Sequence, residues 1–370
     1  MNRYLFASHD GFGLGHVRRN ALIARAVLAR QPDADIVIVT GLPMRPSWLA
    51  DQRVRVVGVP ALLKDSTGSY RHAELSFEQA LERRSSAFLD TVATLDPDVV
   101  VVDRHPYGLA GELRPGLDLA RGRGAALVLG LRDILDQASV VQTELAGQGW
   151  SEVAEVYDVV LVYGESVLCD QAAEYGLPVA PRYCGWVTDK AASRRRQHDL
   201  LAVTGGGGGD GTDVFRLGVE LAATMPARRV VLVAGPYATE DVVPAPTAGW
   251  SDRLRVVRDS PGCARLFAKA GAVVQMAGYN STFESLAAGL RPVLVPRRSP
   301  RREQAIRASR LAALDLADIV DETAPVEEVA WLLERSRVLP EHALVDTGIR
   351  LDGAERAAAA LAALVGARVR

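Results

Sequence analysis

Short apolar runs recur along the chain, continuous rather than alternating, and each is bounded by Gly, Asp or Pro. They cover residues 4–7, 35–40, 54–59, 98–103, 126–131, 159–163 and 182–187, then 200–204, 230–234, 254–257, 272–276, 292–296 and 318–320. Unbroken runs of this kind mark strands buried on both faces, as in parallel sheets. Helical periodicity lies between them. In residues 17–28, Val17, Ala21, Ala24 and Leu28 share one face, and Arg18, Arg19 and Arg25 fall off it. Alternation of strand and helix predicts an α/β fold with doubly wound parallel sheets.

Residues 188–199 are polar and without period, which predicts a linker. The three arginines at 194–196 read as a solvated connector rather than a nucleic-acid patch. After them the opening pattern restarts: strand, glycine loop and helix at residues 5–16 have a counterpart from residue 200. Two Rossmann-like doubly wound domains facing a cleft are therefore expected. The first covers residues 1–190, a linker 191–198, and the second domain 199–350; an Ala-rich helix at 351–370 can pack back on the first domain. In such sheets ligands bind beyond the C-terminal strand ends.

Composition narrows the function. The 370 residues exceed one ordinary core, and 48% hydrophobic with 24% charged residues is a globular balance. A net charge of −2 gives no electrostatic case for nucleic acid or an anionic membrane. Cys169, Cys184 and Cys263 show no CxxC spacing, so neither a disulfide framework nor a zinc site is expected. The first residues lack the apolar stretch of a signal peptide, and no segment approaches the roughly 20 apolar residues of a membrane span. A cytoplasmic monomer or homodimer is expected.

Two glycine loops follow strands. Gly205, Gly206, Gly207, Gly208 and Gly209, then Asp210 and Gly211, precede a helix expected near Thr212. Glycines let backbone N–H groups approach a ligand, and a following helix N-terminus favours an anion. A diphosphate suits such a loop; a flexible hinge is the plainer reading. The loop at Gly11, Gly13 and Gly15, ending in His16, only loosely matches a dinucleotide fingerprint, because His16 stands where a third glycine belongs.

The stretch from Ala277 to Glu284 reads in two ways. Ser281 and Glu284 have the spacing of a capping box, with Gly289 ending the helix. Alternatively, the N–H groups of Ser281 and Thr282 hold a phosphate while Glu284, an acceptor with two oxygens, takes a ribose diol. Glu303 and Gln304 begin a helix after the next strand and suit sugar hydroxyls. For Arg297, Arg298, Arg301 and Arg302, a solvated helix face is the plainer reading.

Together these residues resemble the GT-B glycosyltransferases of family 28, which include the peptidoglycan-precursor N-acetylglucosaminyltransferases and related predicted bacterial glycosyltransferases. The resemblance rests on residues 11–16, residues 98–103 with Arg104, His105, Pro106, Tyr107 and Gly108, the loop at 205–211, and Gly278, Tyr279, Asn280, Ser281, Thr282, Phe283 and Glu284 with Glu303 and Gln304. It implies inverting, metal-independent transfer from a nucleotide sugar, usually a UDP sugar, with no other cofactor. It assigns the ribose to Glu284, sugar hydroxyls to Glu303 and Gln304, and the pyrophosphate to the helix start at Ser281 and Thr282. The base is assigned to the strand end around Arg258. Gly13, Gly15, Tyr107 and Arg132 fall on the acceptor side.

The acceptor hydroxyl needs a base. His16 is the first candidate, Asp103 the second (as base or as the group orienting a His), and His105 the third; helix capping is the plain reading of His16. A nucleotide-sugar hydrolase or epimerase of the same fold, and a silent nucleotide-sugar binder, are the alternatives. The acceptor is expected from loops at 41–49 with Trp48, 61–72 with Lys64, Tyr70 and Arg71, and around Arg132 and Asp133, with a small soluble molecule favoured over a lipid. The Asp-x-Asp pairs at Asp33 and Asp35, and at Asp96 and Asp98, precede strands and are expected to be turn residues.

Overall fold

Every apolar run expected to form a strand lies on one in the computed structural model, which describes residues 1–9, 14–42, 53–64, 70–147, 149–190, 195–205, 211–235, 238, 253–258, 260, 262–299, 301–335 and 337–368. The chain divides into two units, Met1–Val187 with Asp352–Arg370, and Thr188–Leu351.

The first unit runs β1 (Arg3–Ala7), α1 (Gly15–Arg30), β2 (Asp35–Thr40), β3 (Val54–Gly58), β4 (Leu63–Lys64), β5 (Tyr70–Arg71), α2 (Phe77–Leu95), β6 (Val99–Asp103), α3 (Arg114–Gly122), β7 (Ala126–Arg132), α4 (Ala138–Gly147), α5 (Val153–Val156), β8 (Val159–Tyr163), α6 (Gln171–Tyr175) and β9 (Arg182–Tyr183). Its sheet has the order β3-β2-β1-β6-β7-β8-β9, all parallel. The small hairpin β4–β5 has no counterpart among the expected strands, because two-residue strands carry no apolar run.

The second unit runs β10 (Gln197–Thr204), α7 (Thr212–Thr224), β11 (Arg229–Val233), β12 (Leu254–Val257), α8 (Ala264–Phe267), β13 (Ala270–Gln275), α9 (Tyr279–Ala287), β14 (Val293–Leu294), α10 (Glu303–Ala313), β15 (Asp318–Ile319), α11 (Val326–Glu334) and α12 (Ala343–Asp346). Its parallel sheet has the order β12-β11-β10-β13-β14-β15. Leu201 and Val203 join one core cluster, and Leu200 and Ala202 join another. Both faces of β10 are therefore covered, which is why its sequence is apolar without alternation.

In each sheet the chain starts at the centre, builds one side, then returns to build the other. The direction reverses between β1 and β6 in the first unit, and between β10 and β13 in the second. At these switch points the loops at the C-terminal strand ends diverge, leaving room for a ligand. Ser8, His9 and Arg104 lie there in one unit; Gly205 and Met276 lie there in the other.

The last helix, α13 (Gly353–Arg368), belongs to the first unit and packs on α1. Its start is docked tightly. The Gly353 N–H donates to the Trp186 carbonyl (3.1 Å), and a Cβ on Gly353 would lie 2.4 Å from the Gly185 oxygen.

The Asp-x-Asp pairs sit at the N-terminal ends of strands. Asp98 accepts the Arg3 N–H (2.7 Å), Asp96 pairs with the Arg3 guanidinium (3.0 Å), and Asp35 pairs with Arg55 (2.7 Å).

Candidate functional site

In the first unit, the end of β6 meets the start of α1. Asp103 is the last residue of β6 and is buried. His16 and Arg19, one helical turn apart on α1, both reach its carboxylate. His16 Nδ1 lies 2.7 Å from Oδ2, and Arg19 donates to Oδ1 at 2.6 Å. Burial opposes the charged form of Asp103, but Arg19 and His16 outweigh it and hold the carboxyl at about 2. An ionised carboxylate only accepts, so His16 Nδ1 must be the donor. In the tautomer with one ring proton, that proton is on Nδ1 and Nε2 is the acceptor.

Two further histidines close around this pair. The His9 ring, just past β1, stands edge-on to His105 (4.4 Å between centroids) and to His16 (5.4 Å). Burial, with His105, His16, Arg104 and Arg84 nearby, pushes His9 well below the usual imidazole range. Arg104 links Asp103 to His105 with a left-handed backbone at φ 69°, which a side chain rarely adopts. Its N–H donates to the Gly130 carbonyl and its guanidinium to Glu144, both of which fix this turn.

Sequence periodicity set Arg19 off the buried face; the structure buries it. The sheet covers one side of α1 and α13 packs on it as well, so more than one stripe of the helix is inside. Arg19 and His9 are the residues of this cluster that the sequence reading missed. The i, i+3 spacing of His16 and Arg19, just past a glycine loop, was the available signal.

Gly15 is the first residue of α1, whereas Gly13 and Trp48 lie outside the described residues. Tyr107 is engaged elsewhere: its hydroxyl donates to Glu152 (2.8 Å), and the Arg114 guanidinium lies 3.7 Å over its ring. Burial and the Glu152 carboxylate push its phenol up to about 12. Arg132 ends β7 and donates to the Leu135 carbonyl.

In the second unit, α9 starts one turn earlier than the capping-box spacing implied. Gly278 is its N-cap, and no side chain caps it. Ser281 is therefore within the first turn rather than at the cap, and the capping box does not form. Thr282 N–H already donates to the Gly278 carbonyl (3.1 Å), so the N–H groups of the helix start are those of Tyr279, Asn280 and Ser281. Glu284 reaches a different element. It is buried, and its Oε2 accepts the Cys263 N–H at the start of α8 (2.8 Å).

Beneath this helix runs a buried polar chain: Gln275 donates to Ser285 (2.8 Å), which donates to the Thr282 carbonyl (2.7 Å). Glu303 and Gln304, at the start of α10, are both buried. Glu303 accepts from the Arg297 guanidinium (2.9 Å), and Gln304 accepts the Arg297 N–H (3.3 Å). From the next turn Arg307, also buried, donates to the Ala277 carbonyl (2.7 Å) and fixes the strand end before Gly278. Arg297 is therefore tied to the start of α10 rather than lying on a solvated face. Arg196 likewise is no solvated connector: it donates to the Ala270 and Ala288 carbonyls.

Gly205 and Gly211 bracket the second glycine loop. A Cβ on Gly205 would lie 2.2 Å from the Phe215 ring and 2.9 Å from Gly211 Cα, so the two ends close on each other over Phe215. Gly206, Gly207 and Gly208 lie outside the described residues. Arg258, just past β12, donates to the Ala238 carbonyl (2.7 Å).

No protein-family description matches the chain, and no curated protein matches it. Solved structures do. The chain is similar to the MurG of Acinetobacter baumannii at 17% identity, over 99% of this chain and 98% of that one, with a TM-score of 0.56. It is similar to the glycosyltransferase SnogD of Streptomyces nogalater at 18% identity, over 99% of each chain, with a TM-score of 0.63. It is also similar to the Medicago truncatula protein UGT71G1, solved with UDP-glucose, at 13% identity over 99% and 98% of the two chains, TM-score 0.64. At these identities the likeness fixes the fold, which is GT-B.

Proposed function

We propose that the chain is a glycosyltransferase that moves a sugar from a nucleotide sugar, a UDP sugar, to a hydroxyl acceptor with inversion and without a metal ion. The observation that carries this reading is the His16–Asp103 pair at 2.7 Å, an imidazole oriented by a buried, ionised carboxylate at a strand end of a GT-B fold.

The chemistry follows from that pair. His16 Nε2 takes the acceptor's hydroxyl proton as the oxygen attacks the anomeric carbon. The new C–O bond forms on the face opposite the diphosphate. The anomeric C–O bond breaks, and its electron pair leaves with UDP. Asp103 holds the ring in the Nδ1–H tautomer and stabilises the imidazolium that results. Charge developing on the diphosphate meets backbone N–H groups of the glycine loop at 205–208 and of the start of α9 at Asn280 and Ser281. Glu284 accepts from the ribose diol, and Glu303 and Gln304 take sugar hydroxyls. The metal-free reading is supported by Asp35, Asp96 and Asp98 of the Asp-x-Asp pairs, whose carboxylates serve Arg55 and Arg3 at the opposite strand ends. The cytoplasm, where nucleotide sugars are made, is the proposed location, and a small soluble hydroxyl compound is the proposed acceptor class.

Incubation with UDP sugars and an acceptor panel in EDTA tests the reading. It predicts UDP release that depends on acceptor, and H16A losing about 10²- to 10⁴-fold in turnover while still binding UDP. Equally fast UDP release without acceptor would assign hydrolysis instead, and unchanged turnover in H16A would remove His16 from the role.

A further inference from the structure

The base pair has a third member that the reaction as written does not use. Arg19 lies on α1 one turn after His16, and its side chain is 2% exposed. Its Nη2 is 2.6 Å from Asp103 Oδ1 and 3.2 Å from His16 Nδ1. Nδ1 carries a proton, so it cannot accept from Arg19. Both groups donate to the same carboxylate, one on each oxygen, and they meet each other only as two donors. The guanidinium also lies 5.1 Å over the Tyr163 ring, which holds it from β8.

This arrangement has a charge consequence. A buried carboxylate facing a histidine alone draws a second proton onto the ring, because the ion pair removes its uncompensated charge. A ring protonated before the acceptor arrives is no base. With Arg19 in place the carboxylate is already neutralised, and a proton on the ring creates a net positive cluster beside a fixed cation. We infer that Arg19 is a positioning residue for the His16–Asp103 pair: it anchors the carboxylate that sets the ring's tautomer, and its positive charge offsets that carboxylate's pull on a second proton at the ring.

Among the described residues, the charged and titratable groups that meet this cluster from β1, β6 and β8 are placed differently. His9 from the end of β1 is held neutral by burial. His105, past β6, meets the cluster edge-on through His9. Arg104, also past β6, gives its guanidinium to Glu144. Tyr163 on β8 is pushed far above neutrality by burial. Arg19 places a fixed positive charge within hydrogen-bond distance of Asp103.

This inference rests on the reading of His16 as the base, and it is tested without needing turnover. Imidazole signals of the full chain, assigned by the loss of one resonance in H16N, are titrated by NMR in wild type, R19M, R19K and D103N. Circular dichroism and the remaining histidine signals report whether each variant keeps its fold. The expected result is a His16 midpoint higher in R19M than in wild type by roughly one to three pH units. R19K, which keeps the charge, returns most of the way to wild type. D103N, which keeps Arg19 and loses the carboxylate, falls below wild type, so the inference stays testable if R19M does not fold. In turnover, the acid limb of the R19M pH–rate profile moves to higher pH by the same amount. An R19M midpoint equal to or below wild type, or a D103N midpoint that does not fall, overturns the inference. Midpoints that move as expected while H16A keeps its turnover leave the Arg19 coupling standing and remove only the base role.

Discussion

Asp103 is a buried carboxylate on which His16 and Arg19 converge. Its burial alone would neutralise it; Arg19 at 2.6 Å and His16 at 2.7 Å keep it charged. This has a consequence for stability as well as for turnover. The folded-state carboxyl sits at about 2, against 3.8 for the free group, so its pKa is depressed. A depressed pKa gives stability that is fully present above the unfolded value and is lost as the pH falls through the folded one. Asp103 therefore contributes about 2 kcal/mol above pH ~4 that disappears between pH ~4 and pH ~2. Urea denaturation of wild type and D103N across that window checks it. The gap between the two proteins should narrow as the pH drops; a gap independent of pH would show that the charge of Asp103 is not what the fold uses. D103N should also lose about 10²- to 10⁴-fold in turnover near neutrality, because the amide can donate to His16 and favour the wrong tautomer.

At the scale of elements, the strands were legible, as were the starts of α7 at Thr212 and α10 at Glu303, whereas the start of α9 was not. Parallel strands buried on both faces write unbroken apolar runs, so β2, β8 and β12 match their expected limits residue for residue. β10 starts at Gln197, earlier than its apolar run, because Gln197, His198 and Asp199 are exposed and leave no hydrophobic mark. The start of α9 was misread because Ser281 and Glu284 have capping-box spacing by coincidence; the true partner of Glu284 is the Cys263 N–H, 21 residues away in sequence, which no local pattern reveals. Arg19 and Arg196 were both hidden for the same reason: their acceptors (Asp103, then the carbonyls of Ala270 and Ala288) come from other elements. The docking of α13 makes its own prediction. G353A places a methyl 2.4 Å from the Gly185 oxygen and should cost on the order of 1–3 kcal/mol through overpacking against backbone. Thermal denaturation measures it; an Ala variant as stable as wild type would mean that the start of α13 is not pinned to Trp186.

On the scale of the whole molecule, two doubly wound sheets repeat one plan but end their switch-point strands in different groups. The first ends its switch-point strands in histidines, a carboxylate and an arginine; the second ends its own in glycine and a helix start with carboxylates behind it. That division was visible in the sequence as two strand–glycine–helix openings. What the sequence withheld was which polar groups are already engaged within each unit. The central claim is that the second unit clasps a nucleoside diphosphate and that Glu284 holds its ribose. Calorimetric titration of UDP into the full chain in EDTA tests this most directly, with E284Q as the comparison, since a Gln oxygen can still accept the Cys263 N–H and spare the fold. The account predicts one UDP bound per chain and an affinity lower in E284Q by roughly tenfold to a hundredfold, the worth of a hydrogen bond to a charged group. Wild-type protein that takes up no UDP at millimolar concentration, or an E284Q variant that binds it as tightly, would contradict it.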